Sequence, residues 1–176
     1  LAHGATVATG SVRRRAQLSR VRPDLNFVEL RGNIDTRLSK VPEGGAIVMA
    51  VAALEILQLT DRIAERLDVD TFVPAVGQGC VAVECRIDDV GTREALAAVD
   101  HADTRHGVEV ERAFLAELGS GCSLPVGGHV ARGRLTVFLA DFTTGQSIVA
   151  EVALTGTADD LGIARRAALG AQEALG

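Results

Sequence analysis

Two groups of residues in this chain have the types and spacing to do chemistry. The first is Leu118-Gly119-Ser120-Gly121-Cys122-Ser123-Leu124-Pro125-Val126-Gly127, which mounts a thiol among small residues and ahead of a rigid proline. Glycines let the backbone turn sharply and let a large group approach, so Cys122 reads as an attachment point for something covalent. The second is the cationic pair of segments Thr9-Gly10-Ser11-Val12-Arg13-Arg14-Arg15 and Leu30-Arg31-Gly32-Asn33-Ile34-Asp35-Thr36-Arg37-Leu38. Guanidinium forks grip carboxylate or phosphate bidentately, and cations at the positive end of a helix are unfavourable unless an anion sits between them. Together the two groups suggest a thiol-anchored ligand bearing many carboxylates. The same residues also have plainer readings: a packed cysteine, a solvated basic helix face, an Arg31–Asp35 salt bridge and a surface charge at Arg37.

The elements that must position these side chains follow from periodicity. Thr6 to Thr9 reads as a strand ending at Gly10-Ser11, Val12 to Ser19 as a helix, Asn26 to Leu30 as a second strand and Ile34 to Lys40 as a second helix. Ala46 to Ala50 is an apolar run of strand length, and Ala52 to Leu59 has helical spacing. That order, βαβαβα, implies a parallel sheet with helices on its faces, and ligands bind at the carboxyl edge of such sheets. Phe72 to Val76 and Cys80 to Cys85, the latter read as a strand, bracket Gly77-Gln78-Gly79, a crossing of the kind that borders a ligand cleft. A helix from His101 to Leu118 with Asp100 as its cap, strands at 135–139 and 148–154, and a helix from Asp159 to Leu175 make a small α+β module.

Composition narrows the classes. The 176 residues are 47% hydrophobic and 23% charged, a globular balance, and the longest apolar run, Ala46 to Leu54, is too short to span a bilayer. The net charge of −5 is unevenly spread: residues 1 to 40 hold eight Lys/Arg against three Asp/Glu. With no Trp or Tyr there is no aromatic platform for bases, so discrete small anions fit the basic end better than nucleic acid. Three cysteines at spacings that match no metal template support neither a disulfide framework nor a metal site, and Cys80 and Cys85 read as packing residues. His3, His101, His106 and His129 form no catalytic or metal constellation. No signal peptide is apparent, which makes the cytoplasm the expected location. A chain opening at Leu1 on a strand-like Gly4-Ala5-Thr6-Val7-Ala8 reads as N-terminally incomplete.

Six motifs, in order through nearly the whole chain, resemble the porphobilinogen deaminase (hydroxymethylbilane synthase) family: Gly10-Ser11-Val12-Arg13-Arg14, Leu30-Arg31-Gly32-Asn33-Ile34-Asp35-Thr36-Arg37, Pro74-Ala75-Val76-Gly77-Gln78-Gly79, Glu84-Cys85-Arg86, Glu111-Arg112-Ala113-Phe114 and Gly121-Cys122-Ser123-Leu124-Pro125-Val126-Gly127. The resemblance implies a deaminating transferase of tetrapyrrole (porphyrin, heme) biosynthesis. It would polymerise four porphobilinogen molecules into hydroxymethylbilane on a dipyrromethane cofactor held by a thioether. By resemblance Cys122 is the covalent anchor, Arg13, Arg14, Arg31 and Arg37 bind carboxylates of the growing polypyrrole, Ser11 assists, and Gln78 lines the cleft near the primer. A thiolate is nucleophilic enough for such an anchor, and two carboxylates per pyrrole demand an arginine-lined site.

The implied fold is α/β. Residues 1–76 would form a periplasmic-binding-protein-like lobe with a parallel-rich sheet, N-terminally incomplete. Residues 77–100 would be a crossover segment returning to a missing first domain, deprived of the sheet it completes, and 101–176 a small α+β domain carrying the cofactor cysteine. The family's catalytic aspartate would lie upstream of Leu1, so no catalytic residue is assigned here, and an isolated fragment is expected to be inactive or poorly folded. The complete protein would be a cytoplasmic monomer with porphobilinogen and the polypyrrole as its partners, and with neither nucleic acid nor membrane. In the helix after the third strand the usual basic pair reads Glu55-Ile56, with Ile56 at an arginine position. This leaves two alternatives open: a divergent paralogue with impaired elongation, and a non-catalytic anion-binding module with Cys122 free.

Overall fold

The computed structural model describes residues 1–119 and 125–176. They form two compact units, one of residues 1–72 with 125 and 140–147, the other of residues 73–119, 126–139 and 148–176.

The first unit is built on three short parallel strands, β1 (Thr6–Ala8), β2 (Asn26–Val28) and β3 (Ala46–Ile47), in the order β2-β1-β3. Thr6 pairs with Asn26 and Val7 with Ala46. β1 is central, so its side chains are covered on both faces: Val7 and Ala8 are almost wholly buried, as a parallel strand requires. Parallel neighbours need crossovers, supplied by α1 (Val12–Val21) between β1 and β2 and by α2 (Ile34–Leu38) between β2 and β3. α1 starts where Ser11 Oγ accepts the Arg14 N–H, and α2 where Asn33 accepts the Thr36 N–H. α3 (Val51–Ile56) follows β3. Every element expected in this unit is present, and each is shorter or longer than its sequence pattern by a few residues at most.

The second unit opens on a segment without strands. Cys80 to Cys85, expected as a strand, has no ladder among the described residues. The alternation in 80–87 is real, yet Val81 is 90% and Ile87 87% exposed. An extended segment with no neighbouring strand cannot satisfy its backbone through pairing, and alternation alone does not make a strand. α4 (Val90–Ala97), capped by Asp89, was not foreseen, although Asp89 ahead of Thr92 is a capping signal. α5 (Ala102–Glu117) begins at His101, whose ring nitrogen accepts the Thr104 N–H; Asp100, the expected cap, is instead paired with Arg105.

β4 (Val126–Ala131), β5 (Arg134–Ala140) and β6 (Ser147–Ala153) form a second sheet with β5 in the middle, and β4 and β5 are antiparallel. α6 (Asp160–Leu175) closes the chain. Val110, Phe114 and Leu118 meet Leu135, Val137 and Leu139 of β5 and a row of alanines on α6, Ala164, Ala168 and Ala171. Small residues spaced three or four apart let α6 approach closely, so the core is filled by the larger side chains of α5 and β5. Across it, the fully buried Asp160 joins α6 to α5 through His106 at 2.9 Å.

Candidate functional site

The carboxyl ends of β1 and β3 are where the chain departs toward different crossovers, with β1 feeding β2 on one side and β3 lying on the other. In open parallel sheets this divergence opens a crevice. Three features shape the edge. Ser11 N–H donates to Thr9 Oγ1 at 3.2 Å, folding the turn into α1. At Gly10 a side chain would stand 2.8 Å from the Leu30 carbonyl, so only glycine allows the turn after β1 to touch the segment after β2. Gly32 has φ +127°, and a Cβ there would meet Thr36 of α2.

On this frame sit the cations. Arg13, in the first turn of α1, is 6% exposed. Its pKa is pushed down to about 10, first by burial and then by the neighbouring Arg14. Arg14 is lowered by burial and by Arg37. Arg14, delivered by α1, is therefore close enough to repel both Arg13 beside it and Arg37 of α2. The first turn of α1 contains no acid. Arg14 Nη1 donates to the Val48 carbonyl after β3 at 2.9 Å, and Arg37 Nε donates to the Gly32 carbonyl at 2.8 Å. Neutral carbonyls orient a guanidinium and leave its charge available for an anion.

Of the expected site residues, Ser11, Arg13, Arg14 and Arg37 are brought together. Arg31 lies beyond β2, 90% exposed, with Glu29 at 3.6 Å rather than Asp35, a surface pair worth about 0–1 kcal/mol. Arg15, third in the basic run, instead stacks on Phe27, 5.6 Å from the ring centre. Gln78 belongs to the other unit, where its Oε1 accepts the Ala75 N–H at 3.1 Å. Cys122 lies outside the described residues. Cys80 and Cys85 are half-buried free thiols. Among the described residues no group of His, Cys, Asp and Glu is arranged to hold a metal ion. None of their helices is long and apolar enough to cross a membrane.

Ile56 ends α3 and is 81% exposed, while Glu55 is bound by Arg66 at 2.9 Å. The acidic neighbour is thus already partnered, which moderates its repulsion toward an anion. The Val48 carbonyl escaped the sequence reading because a backbone acceptor carries no residue signature.

A polycarboxylate such as dipyrromethane fits this donor set: several cations, mutually repelling, oriented by carbonyls, at the edge where a parallel sheet opens. Residues 1–94 match the family model described as porphobilinogen deaminase, dipyromethane cofactor binding domain, and residues 106–170 match porphobilinogen deaminase, C-terminal domain. A porphobilinogen deaminase of Nitratidesulfovibrio vulgaris (strain DSM 19637 / Miyazaki F) is 51% identical over 73% of this chain and 41% of its own length. That of Thermobifida fusca (strain YX) is 46% identical over 96% of this chain and 55% of its own, and that of Trichlorobacter lovleyi 44% identical over 81% and 46%. The chain spans about half the length of the curated relatives it matches. With both family domains matched in order and the cation cluster in place at the sheet edge, the chain belongs to the porphobilinogen deaminase family.

Proposed function

We propose that this chain supplies the polycarboxylate-binding and primer-carrying part of a transferase of tetrapyrrole biosynthesis, which condenses four porphobilinogen molecules into hydroxymethylbilane with loss of ammonia. The observation that carries this reading is the cluster of Arg13, Arg14 and Arg37, whose charges burial and mutual repulsion disfavour in the absence of an anion. Arg13, Arg14 and Arg37 bind carboxylates of the pyrroles, Ser11 and the first N–H groups of α1 assist, and Arg31 meets carboxylates farther out along the same edge. Gln78 contacts the primer and Cys122 holds it as a thioether. When bound, dipyrromethane supplies the pyrrole end to which substrate is added; the chain's own residues bind, orient and neutralise.

In this reading residues 1–76 are the periplasmic-binding-protein-like lobe, 77–100 the crossover and 101–176 the cysteine-bearing domain. The protein works as a cytoplasmic monomer, and the catalytic aspartate comes from the portion of its relatives to which this chain does not align. The exposed, strandless 80–87 segment supports the crossover assignment, since its alternating apolar residues suit a strand that pairs elsewhere.

The test is the intact mass of the purified protein beside its Cys122→Ser variant. A mass higher by two pyrrole units, lost in the serine variant, is expected. An adduct retained in the variant overturns the anchor assignment. A protein that carries no adduct yet binds a dipyrromethane tetracarboxylate reversibly favours instead the anion-binding module, with Cys122 free.

A further inference from the structure

We propose that Glu111 is a positioning residue that holds the Gly77-Gln78 turn against α5 and β4, an inference that rests on the reading of Gln78 as a primer contact. Glu111 stands in the middle of α5 and is 6% exposed. Its Oε2 accepts the Gly77 N–H at 2.7 Å, and its Oε1 accepts the Val130 N–H of β4 at 2.8 Å. His129 Nδ1 lies 3.6 Å from Oε1. A buried carboxylate is costly unless hydrogen bonded, and these two bonds come from segments 34 and 19 residues away. One side chain therefore ties together three pieces of chain.

What it ties has a functional sense. The turn is closed internally by Ala75 N–H to Gln78 Oε1 and by Gln78 N–H to the Ala75 carbonyl, so moving Gly77 moves Gln78 with it. Val76 and Gly77 also line a cavity of about 520 Å³ together with Cys80 and Arg112. Upstream the turn is held by Gly128 N–H to the Pro74 carbonyl at 3.0 Å, again a bond to β4. α5 and β4 are the elements that flank residues 120–124 in sequence. The carboxylate thus sets the Gln78 turn in register with the two elements from which the Cys122 segment departs.

The test uses Glu111→Gln, which preserves size and one acceptor but turns an NH₂ group toward one of the two N–H donors. Site-resolved amide hydrogen exchange should show Gly77 or Val130 exchanging about tenfold faster or more, with the amides of β5 and α6 unchanged. Unchanged exchange at both, or acceleration throughout the unit, overturns the proposal. The second readout is a double-mutant cycle with Gln78→Ala on affinity for a dipyrromethane tetracarboxylate. Each single variant should weaken binding, and the double variant should be no weaker than Gln78→Ala, because Glu111 acts through Gln78. Additive losses overturn the positioning role. A wild-type protein whose affinity for the dipyrromethane is unmoved by Gln78→Ala refutes the reading of Gln78, while exchange at Gly77 still decides whether Glu111 holds the turn.

Discussion

Replacing Arg14 by methionine separates binding from folding. Methionine keeps an unbranched apolar stem of similar reach, so packing along α1 is largely preserved. The fold loses one charge-assisted hydrogen bond to the Val48 carbonyl, of the class worth about 1.5–3 kcal/mol, but Val48 is only half-buried and water can replace part of that donor. Against this, the variant removes the cation that disfavours the charge on Arg13 and is itself disfavoured by Arg37. The two effects oppose, so the net change in unfolding free energy should stay below about 2 kcal/mol. Binding has no such compensation: a lost guanidinium–carboxylate contact weakens a tetracarboxylate by about 1.5–3 kcal/mol, or roughly ten- to a hundredfold in Kd. Calorimetric titration with a dipyrromethane tetracarboxylate at two salt concentrations, beside a urea melt without ligand, reads both quantities. The salt dependence of binding should also flatten, since one fewer cation is screened. An unchanged Kd, or a melt that collapses while Kd holds, would refute the view that Arg14 is kept for an anion.

Two further substitutions probe other parts of the argument. Asp160→Asn should lower stability by about 2–4 kcal/mol, because an NH₂ group then faces donors among Thr155 N–H (2.7 Å), Thr155 Oγ1 (2.8 Å), Gly156 N–H and His106 (both 2.9 Å). Burial pushes this carboxyl up, yet those hydrogen bonds outweigh it and hold the pKa at about 2 against an ordinary 3.8. Its stabilisation is therefore complete above about pH 4 and lost as pH falls toward 2, an acid limb that chemical melts should show in the wild type and not in the variant. Ile56→Arg should leave the melt within about 0.5 kcal/mol, the side chain being exposed, and tighten tetracarboxylate binding severalfold. Unchanged affinity there would remove the end of α3 from the site.

The parallel sheet was legible because its signals are local: Val7-Ala8 and Phe27-Val28 are short apolar runs followed by turn residues and a capped helix, and Ala46-Ile47 opens an apolar run set off by Gly44-Gly45. The cation cluster was legible for a related reason, since Arg13 and Arg37 lie in the helices that follow β1 and β2, and parallel topology brings the ends of those strands to one edge. What failed depended on partners distant in the chain. Alternation in Cys80 to Ile87 could not reveal that no strand lies beside it. Asp35 was the plainer alternative partner for Arg31, whereas Glu29 takes that place on the surface. The His106–Asp160 bond spans 54 residues, and no periodicity marks it.

The cluster also bears on why the fold carries a burden that stability alone would remove. Arg13 is buried, and the difference between 12.5 and about 10 corresponds to about 3 kcal/mol by which the folded chain disfavours its charged form. At neutral pH the guanidinium is nonetheless charged, so that cost is borne in the ligand-free state, whereas a methionine or leucine at this position would avoid it. The cost becomes useful once an anion arrives: carboxylates relieve the repulsion among Arg13, Arg14 and Arg37 and gain bidentate partners already oriented by the Val48 and Gly32 carbonyls. Binding and folding are then linked, each occupied carboxylate subsite stabilising the native chain by mass action. A surface held for solubility would place its arginines as Arg31 is placed, extended in water beside an acid. Arg13 and Arg14 occupy the less stable arrangement, and a polycarboxylate ligand gives that arrangement its physical reason.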